Sequence, residues 1–294
     1  MTRYVQTLDR VRATDIARVG GKGANLGELV AAGVPVPAAF CVTTDAYRSF
    51  LDTGGLSEGM AALLDRIDYD DPAGIEHSAS AIRALFLGEP TPPVIAEEIT
   101  TAYRGLESSL GFDVSVSVRS SATAEDLPGM SFAGQQDTFL FVSGAERVVD
   151  AVKRCWASLW TDRAIAYRHT QGFDHERVWL AVVVQEMFPS EVSGILFTAN
   201  PVTSNPDEHF LNLSWGLGEA VVSGRVNPDQ LVVAKGSAVI VERKVADKEL
   251  MTIRHPCGHG SVEAPVPDEL REIQALPDRA QRQYLLVGQR LDLP

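Results

Sequence analysis

Three alternating valines, Val114, Val116 and Val118, mark a strand with one buried face, and the strand ends by delivering Arg119 into a polar, glycine-containing run. That run carries Ser120, Ser121, Thr123, Glu125, Asp126, Gly129, Gly134 and Thr138. A cation at a strand end, followed by small residues whose amides can face a ligand, suits a polyphosphate. The guanidinium offers phosphate oxygens a planar fork, and each charge-assisted bond contributes about 1.5–3 kcal/mol. Taken alone, Arg-Ser-Ser has a competing reading as a surface loop with an ordinary salt-bridged arginine.

The net charge of −13 sharpens the question. It disfavours nucleic acid as a partner, because no basic stripe offsets it. A polyphosphate can bind only where local cations and backbone amides reverse the average field, or where a divalent metal bridges the two. The apolar runs, such as Val178 to Val184 and Leu231 to Ala234, are too short for a transmembrane helix. The N-terminus lacks a continuous signal-peptide core, which predicts a cytoplasmic protein. Three widely separated cysteines, Cys41, Cys155 and Cys257, argue against a disulfide framework.

Two patterns divide the chain. Asp15 to Ala32 reads as a loop, Gly20-Gly21-Lys22-Gly23, feeding a helix ended by Gly33, with Pro35 and Pro37 forbidding its continuation. Thr43 or Thr44 caps a further helix, residues 56 to 110 read as several helices interrupted at Pro90, Pro92 and Pro93, and Ala145 to His169 reads as one long amphipathic helix. Val178 to Met187 is a buried strand. Gly194 to Ala199, His209 to Leu213 and Asp229 to Ala234 are further strands, with turns at Asn200-Pro201, Asn205-Pro206 and Asn227-Pro228. The expected architecture is two α+β lobes, residues 1–187 mixed and residues 188–294 rich in strand.

Several motifs can serve a nucleotide. Gly20-Gly21-Lys22-Gly23 is not a Walker A loop, since Ile16 stands where a further Gly is required and Gly23 where Ser or Thr is. A Lys between glycines at a helix start still sets an ammonium and backbone amides against phosphate oxygens; a flexible turn with a solvated Lys competes with that reading. Gln185-Glu186-Met187 closes an apolar strand and can present an amide to an adenine edge, or run into water as a plain loop. Gly216 and Gly218 permit close backbone approach beside Glu219, although only two of the three glycines of a dinucleotide fingerprint are present. Asn227-Pro228-Asp229 reads as a turn. His255-Pro256-Cys257-Gly258-His259 gathers three metal-ligand types without a partner pair, and reads as a polar loop.

In order along the chain stand VGGKGANLGEL, VPVPAAFCVTTDAY, VRSSATAEDLPGMSFAGQQDT, CWASLWTDRAIAYR, VVVQEMFPSEVSGILFTANPVT and SWGLGEAVVSGRVNPD. This set resembles the N-terminal ATP-binding domain shared by phosphoenolpyruvate synthase, pyruvate phosphate dikinase and rifampicin phosphotransferase, with CWASLWTDRAIAYR and SGILFTANPVTSN most similar to the last. The resemblance covers nearly the whole chain; residues 52 to 110 and 235 to 294 are less distinctive. It implies a two-lobed ATP-grasp-like fold holding ATP with Mg2+. In these families the β-phosphate of ATP passes to a histidine on a separate swivelling domain, giving AMP and phosphate. Carried over by motif, Lys22 and Arg119 hold phosphates and act in catalysis, Gly134 and Thr138 lie along the triphosphate, Gln185 meets the adenine, and Glu219 lines the cleft.

Two departures accompany the resemblance. In the family a segment like Leu291-Asp292-Leu293-Pro294 precedes a strand with an acidic residue and then a Gln-x-Arg-Pro strand, which supply magnesium and phosphate ligands. None of the six histidines lies in a Gly-rich Ser-His-Ala setting. The expectation is a C-terminally truncated ATP-binding domain whose phosphohistidine domain lies elsewhere in a longer protein or on another chain. The competing expectations are a non-catalytic nucleotide-binding module and an inactive fragment.

Overall fold

The computed structural model describes residues 3–111, 113–123, 137–237 and 239–277. The chain divides into two compact units, Met1–Met187 and Phe188–Pro294.

The first unit runs β1 (Val5–Thr7), α1 (Ile16–Ala31), β2 (Ala39–Val42), α2 (Thr44–Leu51), α3 (Leu56–Leu64), α4 (Pro72–Gly88), α5 (Pro93–Leu110), β3 (Val116–Ala122), β4 (Thr138–Val142), α6 (Ala145–Ala157), α7 (Asp162–Thr170) and β5 (Leu180–Glu186). Among the described residues its strands form one sheet, ordered β1-β2-β5-β3-β4, with every neighbouring pair antiparallel. Side chains alternate across a strand. Phe40, Val42, Val116, Val118, Val182 and Val184 therefore enter the large core shared with α2 to α7. On the other face Ala39, Cys41 and Val183 pack against α1 through Val19 and Ala24. Strand β5 is buried almost throughout because both its faces are covered, which is why it reads as a continuous Val run.

Local chemistry sets the helix ends. Asp71 accepts from the amides of Ala73 and Gly74 at 3.1 Å ahead of Pro72, and α5 stops at Gly111 in the left-handed region, φ 77°. The single helix expected over Ala145 to His169 is in fact two. Thr161 is extended and its Oγ1 accepts from Ala164 N at 3.2 Å, so α7 begins with its own cap after a 3-10 turn at Ser158–Trp160. A hydroxyl in the middle of an amphipathic pattern outweighed the pattern.

The second unit contains β6 (Val192–Phe197), β7 (Glu208–Trp215), α8 (Glu219–Val222), β8 (Asp229–Ala234), β9 (Val239–Lys244), β10 (Leu250–Arg254), β11 (Ser261–Pro265) and α9 (Asp268–Arg271). Strands β6-β7-β8-β9 make one antiparallel sheet and β10-β11 a hairpin. Leu211, Leu213, Leu231, Val233 and Leu276 form its core. Helices with antiparallel sheets agree with the α+β class. No described helix is long and apolar enough to cross a membrane.

Candidate functional site

The α1-facing side of the first unit's sheet brings four of the expected residues together. In β3 the positions facing α1 are Ser117, Arg119 and Ser121, since Val116 and Val118 enter the opposite core. Arg119 lies directly across from Thr138 on β4 and Val183 on β5, and Val183 from Cys41 on β2. Gln185 lies one step along β5, opposite Ser117, so it is the diagonal neighbour of Arg119 at about 7–8 Å between Cα atoms. Arg119 is half-buried, Thr138 exposed and Gln185 buried. The Gln185 amide nitrogen donates to Pro37 O at 3.3 Å.

Lys22 reaches this face from α1. Its ammonium donates at 2.6 Å to the carbonyl of Ser120, the residue after Arg119. The glycines beside it are helical rather than a loop, contrary to expectation: Gly20 to Gly23 lie inside α1, and Gly20 alone leaves helical geometry, at φ 70° and ψ 171°. That break restarts the helix, so the run from Gly21 has its own N-terminus. Its amides and the positive end of its dipole are set against the end of β3. Gly23 N donates to Ser121 Oγ at 3.1 Å, and Ser121 Oγ donates to Val19 O at 2.7 Å. Gly20 is required by proximity as well as by φ: a Cβ there would lie 2.1 Å from Ser121 O.

Cys155 lies beneath these residues, fully buried, with Sγ 3.5 Å from Val118 O and 3.7 Å from Asp137 O. Burial pushes its thiol up, Asp137 pushes the same way, and the positive charges of Lys22 and Arg154 oppose it. Cys41, also fully buried, is pushed up to about 12. Both are inert thiols, and the face offers an anion two cations and a helix start.

Glu219 belongs to the second unit, in the first turn of α8. Its Oε1 accepts from Arg225 Nη2 at 3.3 Å and its Oε2 from Ser261 Oγ at 3.0 Å. Gly216, at φ 78°, is bridged to Thr252, whose carbonyl oxygen a Cβ would meet at 2.3 Å. Its close approach is therefore to the protein's own backbone. Gly134 lies outside the described residues, as do Glu125, Asp126 and Gly129. Among the described residues no three His, Cys, Asp or Glu side chains converge as a metal cage. In the His255 loop, Cys257 Sγ lies 2.8 Å from His255 Nδ1.

Asp229, read from sequence as part of a turn, is a buried organiser of the second unit. Its Oδ1 accepts from Ala246 N at 2.9 Å and Lys248 Nζ at 2.6 Å, and its Oδ2 from Ala275 N at 2.7 Å. Only the acidic side chain at the start of an apolar strand could have signalled this.

Residues 16–291 match the family described as "Pyruvate phosphate dikinase, AMP/ATP-binding domain". The chain is 45% identical to phosphoenolpyruvate synthase of Pyrococcus furiosus, over 99% of this chain and 40% of that protein. It is 44% identical to a probable phosphoenolpyruvate synthase of Methanocaldococcus jannaschii, over 97% of this chain and 24% of that protein. It is 42% identical to a rifampicin phosphotransferase of Streptomyces sp, over 99% of this chain and 33% of that protein. The chain thus spans two fifths or less of the length of each of these relatives.

Proposed function

We propose that this chain, which belongs to the pyruvate phosphate dikinase AMP/ATP-binding domain family, holds ATP for transfer of its β-phosphate to a histidine on a separate swivelling domain, with AMP and phosphate as the other products. The observation that carries this reading is the meeting of Lys22 and Arg119 on one sheet face beside the restarted helix of α1. Such a set reverses the acidic average of the chain at one place, as a polyphosphate requires.

In this reading Lys22 and Arg119 withdraw charge from the phosphoryl oxygens as the anhydride breaks. Thr138, directly opposite Arg119, donates its hydroxyl along the triphosphate, and Gly134 lets the backbone approach it. Gln185, one diagonal step from Arg119, offers its amide to the adenine edge. Glu219 enters from α8 only if its carboxylate exchanges Arg225 or Ser261 for the nucleotide's surroundings. Magnesium, when bound, supplies further positive charge at the phosphates. Because the described residues build no three-donor cage, these side chains alone do not hold it; the nucleotide's oxygens would have to complete its shell. The phosphate acceptor, whether pyruvate, an antibiotic or another group, would be set by the rest of the longer protein.

Calorimetric titration with ATP tests the assignment. Lys22→Ala and Arg119→Ala should each weaken binding tenfold or more, about 1.5–3 kcal/mol per lost charged contact. Wild-type affinity in both variants would remove the reading.

A further inference from the structure

Helix α1 is broken at one residue, and a side chain from β3 fills the break. In an unbroken helix the Gly23 amide would donate to the Val19 carbonyl, four residues back. Gly20, at φ 70° and ψ 171°, takes the chain out of helical geometry between them. The Ser121 hydroxyl stands in the gap. Its oxygen accepts from Gly23 N at 3.1 Å, and its proton goes to Val19 O at 2.7 Å. One hydroxyl thus bridges the two groups that a rung of an unbroken helix would join, accepting from one and donating to the other.

The surroundings of that hydroxyl are closed to water. Ser121 is 0% exposed, and Val19, Gly20, Gly21 and Gly23 are all buried. An amide and a carbonyl at such depth are costly to leave without partners. Without the hydroxyl, Val19 O and Gly23 N regain a partner by closing the break and bonding to each other. Gly20 permits this, since a residue without Cβ passes readily from positive to helical φ. Closing the break turns the segment that follows it, and Lys22 lies in that segment.

Lys22 is therefore set against β3 at two neighbouring points. Its ammonium donates to Ser120 O at 2.6 Å, and its helical turn is fixed through Ser121 Oγ. Arg119 stands two residues before Ser121, on the same face of the same strand. The two Ser121 bonds to α1 span 98 and 102 residues of chain. A different hydroxyl on the same helix provides the contrast. Thr44 Oγ1 donates to Ala17 O at 3.0 Å, and Thr44 is 3% exposed, but that bond lies upstream of the break.

We propose that Ser121 is a positioning residue for the phosphate face: its hydroxyl holds α1 open at Gly20 and so aims Lys22 at the anion that Arg119 also meets. The inference rests on the reading of Lys22 and Arg119 as phosphate ligands. Ser121 touches no phosphate in this scheme; it acts on binding through Lys22.

A double-mutant cycle on the whole chain, with ATP affinity read by calorimetry, tests this. Ser121→Ala should weaken ATP binding at least fivefold where Lys22 is present, and less than twofold in the Lys22→Ala background. Thr44→Val, which removes a hydroxyl of similar burial from the same helix, should bind ATP as the wild type does. If Ser121→Ala fails to fold, Ser121→Cys keeps a similar volume with a weaker donor and acceptor, and should show a loss with the same dependence on Lys22. Wild-type affinity in a folded Ser121 variant, equal losses with and without Lys22, or a matching loss in Thr44→Val would each overturn the proposal. Wild-type affinity in Lys22→Ala would instead remove Lys22 from the phosphate face, a failure of the earlier reading that takes this proposal with it.

Discussion

Lys248 Nζ lies 2.6 Å from Asp229 Oδ1, and the two side chains are 0% and 1% exposed. Both charges are also satisfied by backbone: the ammonium by Ala246 O at 2.9 Å, the carboxylate by the amides of Ala246 and Ala275. The pair ties the start of β8 to the segment before β10 and to the chain after α9. Removing the carboxylate leaves a buried ammonium without its counter-charge and two amides without acceptors. Asp229→Ala should therefore cost about 3–5 kcal/mol, read from denaturant unfolding of the whole chain. A loss below about 1 kcal/mol, the scale of an exposed pair, would show that the ammonium finds water once freed.

Gly20 and Gly33 share φ 70°, but a Cβ at Gly20 would strike Ser121 O, whereas Gly33 has nothing within 4 Å. Gly33→Ala should cost only the left-handed backbone term, about 1–2 kcal/mol. Gly20→Ala should cost clearly more, because the clash is with main chain that cannot rotate away. Equal losses in the two variants would mean that the approach of α1 to β3 is loose.

The three cysteines should differ in reactivity. Cys41 and Cys155 are buried with raised pKa values, and Cys257 is exposed. A thiol needs its thiolate to react. Ellman's reagent should titrate one thiol rapidly in the native chain and three after denaturation. Two rapid native equivalents would contradict the packing around the sheet.

His175 gives the fold an acid-sensitive component. Burial, then Arg168 and His169, lower its folded pKa to about 4, below the ordinary 6.5 of an unfolded histidine. Between those values the unfolded chain takes up a proton that the folded one refuses, so stability falls as pH drops from 6.5 toward 4 and is fully present above that window. In His175→Asn, whose side-chain oxygen can still accept the hydrogen bond that Arg168 Nε gives Nδ1 at 3.0 Å, the melting temperature should decline less steeply over the same window. Parallel curves for the two proteins would assign the whole decline to carboxylates.

Much of the fold was legible where local pattern and tertiary demand agree. The valine alternation before Arg119, the apolar run of β5 and the proline breaks around residues 90 to 93 all reappear as expected. Glycines 20 to 23 misled because helix propensity counts against them, while close packing on Ser121 admits nothing larger at Gly20 and Cys41 leaves little room at Gly23. That Lys22 and Arg119 share a face was suggested by residue type, but its geometry rests on strand order, which no local pattern contains. Asp229 was not legible for the same reason: its partners are far away in sequence. Strands β9 to β11 were missed because their exposed edges and short hairpin carry little apolar periodicity.

The pairing of Arg119 with Thr138 has a mechanical consequence. Arg119 stands on a strand held on both sides, by Thr138 of β4 and by Val183 of β5. Its guanidinium therefore swings from a fixed root, and only side-chain torsions remain to be settled when an anion arrives.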